Sequence, residues 1–326
     1  AVWVAGEVAR SVFPFTGFPW GRLAHTSIDT PFKSYARLVA MPGTSAVLFL
    51  VAGSLLVVLT GSTARRKAAA ALSIAGLVLI GILLPTGIAG AAGTRQVSLV
   101  QGDVPGVFLT WPRGEIFELH AAETDKLAEE IESGAVPKPD MVLWPENSTD
   151  VDPNFDQGVR ARIEGLSARI GAPILVGGLL DGPTVTTSYN AGEVWDENGP
   201  GDRYVKLKPV PFGEYVPWRE RAGAIFGRLA RDIPRDMLAG DEPGAMEIAN
   251  TRIGDTICYD IAYDSVTKRA IDGGAQLLVV QTSNAMFIYT DQIDQQFAMT
   301  RLRAIESHRA VAAAATNGLT GLIAPD

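Results

Sequence analysis

One cysteine, Cys258, stands among 326 residues, so no disulfide can form within the chain and any thiol chemistry runs through that side chain. Histidine is nearly as scarce. His25, His120 and His308 are scattered, and no His/Cys group has the spacing of metal ligands, so neither a metal nor a cofactor is expected. Basic residues are outnumbered, 28 Lys and Arg against 36 Asp and Glu, for a net charge of -8. Nothing in that balance neutralises a row of phosphates, which excludes nucleic acid as the partner. Charge is missing altogether between Arg37 and Arg65, and again between Lys67 and Arg95. No signal-peptide pattern, internal repeat or low-complexity tract is present. The chain begins at Ala1 rather than Met and ends at Ala324-Pro325-Asp326 after an apolar run, and so reads as part of a longer protein.

What remains is rich in apolar residues. The chain is 47% hydrophobic and 20% charged, with a mean hydropathy of +0.15, a combination that suggests membrane and soluble parts in one chain. Residues 1–34 are aromatic and broken by Gly and Pro, as in Phe13-Pro14-Phe15-Thr16-Gly17-Phe18-Pro19-Trp20. They suit a membrane interface or a re-entrant segment better than a spanning helix. Spanning helices are expected at about 36–60 and about 68–92, since each apolar run reaches the ~20 residues a bilayer requires. Between them stands Arg65-Arg66-Lys67. A short basic loop stays on the cytoplasmic side, so everything after Arg95 is expected outside the cytoplasm. The chain thus divides into a membrane region, 1–94, and a domain, 95–326.

That domain reads as α/β. Apolar, β-branched runs predict strands at 96–101, 141–144, 174–180, 184–194, 251–259, 277–282 and 311–315. Amphipathic helices are expected at 116–133, 155–170, 265–272 and 292–308. Strand and helix in alternation indicate a sheet core with helices outside. Residues 219–246 hold few strand signals and many charges, and read as a long excursion over the surface.

Three segments hold residues for a reactive centre. Met141-Val142-Leu143-Trp144-Pro145-Glu146 is an apolar strand that ends in a carboxylate, a natural place for a general base. Arg203-Tyr204-Val205-Lys206-Leu207-Lys208-Pro209-Val210-Pro211-Phe212-Gly213-Glu214-Tyr215-Val216-Pro217-Trp218 is a Pro-rich loop with charges of both signs. Fixed backbone of that kind preorganises a site; an ordinary membrane-surface loop reads the same way. Ile253-Gly254-Asp255-Thr256-Ile257-Cys258-Tyr259-Asp260 ends a strand in a thiol, ahead of a helix whose N-terminus favours thiolate. The three are far apart in the chain, so only the fold can join them.

Together these segments resemble the nitrilase, or carbon–nitrogen hydrolase, superfamily, and within it the apolipoprotein N-acyltransferase branch. The loop Tyr204-x-Lys206-x-x-x-Val210-Pro211-Phe212-Gly213-Glu214-Tyr215-Val216-Pro217 and the segment Phe15-Thr16-Gly17-Phe18-Pro19-Trp20-Gly21 carry the likeness, with Val100-Gln101-Gly102 and Thr316-Asn317-Gly318 in support. The resemblance implies a four-layer α-β-β-α sandwich preceded by transmembrane helices, and more membrane helices outside this chain. It implies a catalytic triad of Glu146, Lys206 and Cys258, with Glu214, Tyr259 and Asp260 supporting it. Trp111, Trp218 and Phe226 are expected near lipid at the entrance. The implied substrates are a phospholipid acyl donor and a diacylated lipoprotein whose N-terminal amine accepts the chain. The implied location is the bacterial plasma membrane, with the catalytic domain on its outer face. Two other functions fit the residues: a membrane-bound amidase of the same superfamily, and a non-catalytic domain that binds lipoproteins or a partner. The chain departs from the family at Asp260, where Glu is usual, and at Ala285-Met286, where Asp and Trp are usual.

Overall fold

The structure is a computed structural model that describes residues 2–87, 91, 93–105, 111–222, 231 and 233–326. The end of the second apolar run and Phe226 lie outside the described residues. The chain forms two compact units. One comprises residues 1–89, 297–309 and 324–326, the other residues 90–296 and 310–323.

The first unit opens with α1 (Val2–Arg10), nine residues long and too short to span a bilayer, followed by 3-10 turns at Leu23–Ser27 and Pro31–Tyr35. Two helices follow, α2 (Ala36–Thr60) and α3 (Ala64–Leu83), and both are long and apolar enough to cross a membrane. They pack as a hairpin. Tyr35 Oη donates to Leu77 O at 2.8 Å and Ser34 Oγ to Gly81 O at 2.5 Å. Gly81 permits this approach, because a Cβ there would lie 2.4 Å from Pro31 O. Most of both helices is apolar and exposed, Leu72 at 73%, as lipid-facing surface requires.

α3 begins before the expected 68, so Arg65, Arg66 and Lys67 form its first turn rather than the link between the spans. Thr63 explains the early start, since its side chain accepts from Arg66 N and caps the helix. α2 is kinked at Ala40 (φ 54°), two residues before Pro42, which can neither donate a hydrogen bond nor sit under a helical carbonyl. The Met41 amide beside the kink donates to Glu306 Oε1 at 3.2 Å, and Arg303 pairs with the same carboxylate. Ala24, Ile28, Ala36 and Met41 are buried there with Leu302 and Ile305.

The second unit holds two sheets. One runs β1 (Val97–Leu99), β2 (Met141–Leu143), β3 (Ile174–Asp181), β4 (Thr187–Asp196), β5 (Gly199–Val205), with β6 (Asp236–Met237) paired to β4. The other runs β11 (Gly321–Ile323), β10 (Val311–Ala315), β9 (Leu277–Thr282), β8 (Thr251–Ile257), β7 (Ala245–Ile248). β1, β2 and β3 are parallel, as are β8, β9 and β10, and these, with β4, are the strands that apolar runs predicted. β5, β7 and β11 were not expected. The hairpin between β4 and β5 turns on Glu197 and Asn198, ahead of Gly199 at φ +119°. β6, also unexpected, lies within the supposed surface excursion, and β7 begins in its last two residues and runs past it.

Helices α4 (Glu115–Glu132) and α5 (Gln157–Ile170) cover the outer face of the first sheet, burying Phe117, Ala121, Ile163 and Leu166 against Val142, Trp144, Ile174 and Val176. α6 (Asp264–Asp272) lies on the second sheet, where a Cβ at Gly254 would come within 3.0 Å of Ala270. The sheets face one another, for Gln281 Nε2 on β9 donates to Trp144 O beyond β2 at 2.6 Å. This is the four-layer α-β-β-α sandwich. A last helix, α7 (Gln292–Ser307), starts in this unit.

Candidate active site

Parallel strands point their C-terminal ends the same way, and the candidate residues sit at such ends. Glu146 follows β2 by three residues, Lys206 follows β5 directly, and Cys258 follows β8 directly. Gly177 on β3 lets the Pro145-Glu146 backbone press against the sheet, since a Cβ at 177 would lie 2.1 Å from Pro145 O.

The structure brings Glu146, Lys206 and Glu214 together. Glu146 is 3% exposed and Lys206 is 1% exposed. Lys206 Nζ lies 3.0 Å from Glu146 Oε1 and 2.8 Å from Glu214 Oε1. Asn190 Nδ2 on β4 donates to both carboxylates, at 2.7 Å and 3.0 Å. Ser283 N, just past β9, donates to Glu146 Oε2 at 2.7 Å. The second oxygen of Glu214 accepts from Val210 N at 2.7 Å and closes the Pro-rich loop on itself. Burial alone would strip the proton from Lys206, but Glu146 and Glu214 outweigh it and raise the ammonium well above its usual value. A buried cation held by two carboxylates keeps its charge.

Cys258 adopts a left-handed backbone, φ 49°, rare for a residue with a Cβ and a mark of local strain at the turn. It opens a 3-10 turn, Cys258–Ala262. The residue is half-buried, and Gln296 Nε2 lies 3.6 Å from its sulfur. Burial, and after it the Glu146 carboxylate, push the thiol up to about 12, although Lys206 pulls the other way. The thiolate expected from a helix N-terminus is therefore not the resting form; desolvation and carboxylates prevail.

Asp260 and Tyr259 are both buried beside the triad. Asp260 is fully buried. It accepts from Tyr204 Oη at 2.7 Å and from Lys208 N at 2.9 Å, and so ties the Lys206 loop to the Cys258 turn. Burial raises it to about 6, while Lys206 and the Tyr204 hydroxyl oppose that shift. Tyr259 is buried edge-on against Tyr263 at 5.2 Å. Trp111 is half-buried, packed against Val104, Ile116 and Ala285. Trp218, by contrast, is 72% exposed, as is Met286 at 71%. Sequence reasoning missed Asn190, Ser283 and Gln296. Asn190 leaves one signal, an Asn inside a strand-forming run where that residue is disfavoured. Among the described residues no His, Cys, Asp or Glu cluster could hold a metal.

Comparison with known proteins supplies the family and the fold. Residues 119–326 match the carbon-nitrogen hydrolase family and residues 1–54 the apolipoprotein N-acyltransferase N-terminal domain. The chain is 36% identical to an apolipoprotein N-acyltransferase of Mycolicibacterium smegmatis, over 73% of this chain and 41% of that protein. It is 26% identical to that of Geobacter metallireducens, over 99% of this chain and 63% of that one. The chain thus spans less than two thirds of the length of these relatives. In fold it is similar to an amidase of the nitrilase superfamily from Nesterenkonia AN1, with a TM-score of 0.50 at 18% identity, over 73% of this chain and 82% of that one. Another structure of that amidase, with a TM-score of 0.51 at 16% identity over 73% of this chain and 85% of that one, carries the acetamide moiety of fluoroacetamide on its active-site cysteine. With residues 119–326, more than half of its length, matched and the sandwich in place, this chain belongs to the carbon–nitrogen hydrolase family.

Proposed function

We propose that the chain is the catalytic part of an apolipoprotein N-acyltransferase, with Glu146, Lys206 and Cys258 as its triad. The observation that carries this reading is the buried Lys206, which bridges Glu146 and Glu214 beside a strained cysteine. The relatives named above supply the acceptor class.

The resting thiol carries its proton, so attack requires a base. Glu146 has four lone-pair sites and spends three, on Lys206, Asn190 and Ser283, which leaves one for the thiol proton. As Cys258 Sγ attacks the ester carbonyl of a phospholipid, Glu146 takes the proton and the carbonyl oxygen becomes an oxyanion. Lys206 has three N–H donors, two of them on carboxylates, and offers the third to that oxygen. Collapse breaks the ester bond. The lysophospholipid alkoxide takes the proton from Glu146, and the acyl group remains as a thioester on Cys258. The lipoprotein's N-terminal amine then attacks the thioester, Glu146 accepts its proton, and the thiol is restored as the amide leaves.

α2 and α3 hold the chain in the membrane, where ester carbonyls of phospholipids lie. The basic first turn of α3 belongs to the cytoplasmic side and the sandwich to the opposite side.

The test is the intact mass of the protein after exposure to phospholipid. A covalent acyl adduct is expected on the wild type and none on Cys258→Ala. The adduct should persist until a diacylated lipopeptide with a free N-terminal amine is added, and an amine-blocked lipopeptide should not discharge it. Fatty acid released at equal rates with and without lipopeptide would make the protein a hydrolase instead.

A further inference from the structure

Behind the triad, between the two sheets, lies an acid that the chemistry above does not use. Asp255 is in the middle of β8 and has no exposed surface. Neither of its side-chain oxygens has a hydrogen-bond partner, although the Thr256 amide lies near enough to favour the ionised form. On β9, two residues past Val279, the register partner of Asp255, Gln281 is equally buried, and its Oε1 also lacks a partner. The two oxygens crowd one point: a Cβ built on Gly192 of β4 would lie 2.2 Å from Asp255 Oδ2 and 2.4 Å from Gln281 Oε1.

Two acceptors cannot face each other in a closed apolar layer unless one carries a proton. Turning the Gln281 amide over would give Asp255 a donor, but it would also set Oε1 against Trp144 O, which Nε2 now meets at 2.6 Å. The Trp144 carbonyl therefore fixes the amide, and the amide requires a donor from Asp255. The ionisable groups that bear on Asp255 are acids: Asp260 on the Cys258 turn, Glu146 past β2, and the Tyr204 phenol on β5. Burial first, then Asp260 and Glu146, raise its carboxyl well above the ordinary 3.8.

We infer that Asp255 is held as a neutral carboxylic acid that donates to Gln281 Oε1, and that the chain Asp255–Gln281–Trp144 O positions the Pro145-Glu146 turn and with it the base. Asp255 is a positioning residue. It touches no substrate and works through the strand end that carries Glu146. Ionising it would put an unpaired anion against an amide oxygen and loosen that strand end, so activity falls on the alkaline side.

The role of Asp255 in activity rests on the acyl-transfer reading, whereas its proton does not, and the experiment separates the two. The full chain is studied in lipid as wild type, Asp255→Asn and Asp255→Ala. Asparagine keeps the donor and cannot ionise. Infrared difference spectra of the wild type with ¹³C-labelled aspartate should show a protonated-carboxyl band at neutral pH that Asp255→Asn lacks. The rate of thioester formation in Asp255→Asn should stay within about twofold of wild type near neutrality and lose the alkaline decline, whereas Asp255→Ala should slow it by about tenfold to a hundredfold, the cost of a misplaced catalytic group. Absence of the protonated band in the wild type overturns the inference, even if no acyl-enzyme ever forms. So does Asp255→Asn slowing the reaction as much as Asp255→Ala, or keeping the wild-type alkaline decline. Should Asp255→Ala not fold, the band and the Asp255→Asn profile decide alone.

Discussion

Asp260 ties two segments together and depends on its charge to do so. Its oxygens accept from Tyr204 Oη, Lys208 N and, at 3.3 Å, Ile257 N, so an ionised carboxylate meets donors only. Its folded value of about 6 lies above the ordinary 3.8. The folded state thus binds more protons between those values. Its contribution to stability is fully present below pH 3.8 and is lost as pH rises through about 6. Function runs the other way, because a protonated Asp260 releases a donor of the Lys206 loop. An acid limb of activity near pH 6 is therefore expected, measured as the rate of acyl-enzyme formation. Asp260→Asn places an amide against those donors and should lower the rate about tenfold or more at every pH, in line with the roughly 1–3 kcal/mol cost of an unsatisfied buried group. Asp260→Glu should retain most of it. An acid limb of the same midpoint in Asp260→Asn would assign the titration elsewhere.

At the scale of the element, the site depends on how closely a strand end can approach its neighbour. Gly177 and Gly178 stand side by side on β3, but a Cβ at 177 would meet backbone at 2.1 Å, whereas one at 178 would meet the Thr149 methyl at 3.2 Å. Gly177→Ala must push Pro145 and Glu146 away and is expected to cost about 1–3 kcal/mol of stability. It should also remove most activity. Gly178→Ala should cost less than about 1 kcal/mol and keep activity, since a methyl group gives more readily than backbone. Denaturation midpoints and acyl-enzyme yields of the two variants check this, and equal behaviour would refute it. The alternation of Gly-compatible approach and buried strand is also why Glu146, solvent-facing in most loops of this composition, is 3% exposed here.

At the scale of the whole molecule, the question is the side of the membrane on which each unit lies. Arg65 is in the first turn of α3 and Val185 is 93% exposed in the β3–β4 connection. In a Cys258→Ala background, Val185→Cys should react with a membrane-impermeant maleimide added to intact cells. Arg65→Cys should react only after the cells are permeabilised. Labelling of residue 65 from outside would invert the proposed orientation and place the sandwich in the cytoplasm.

Some of this was legible residue by residue. Uncharged runs of membrane length, apolar parallel strands and their amphipathic helices are local patterns, and β1, β2, β3, β8, β9 and β10 lie where those patterns predicted them. Glu146 and Cys258 stood out because a carboxylate or a thiol ended an apolar run, and Lys206 because it lies in a Pro-rich loop with charges of both signs. The strands β5, β7 and β11 did not, because their pairing with neighbours, not their composition, makes them strands. α3 started early because one threonine capped it, and the thiol stayed protonated because burial outweighed the helix end. Ser283 and the Asp255–Gln281 pair could be read from no local pattern, and Asn190 left only the oddity of an Asn inside a strand-forming run. Their roles come from groups up to 137 residues apart in the chain that meet at 2.6–2.7 Å. Hydrophobic period and length are properties of neighbours in the chain, and so the sequence alone determined the apolar strands, the spans and the reactive residue types. Desolvation and hydrogen-bond satisfaction are properties of neighbours in space, so only the tertiary structure decided which acids hold a proton and which side chains hold the base.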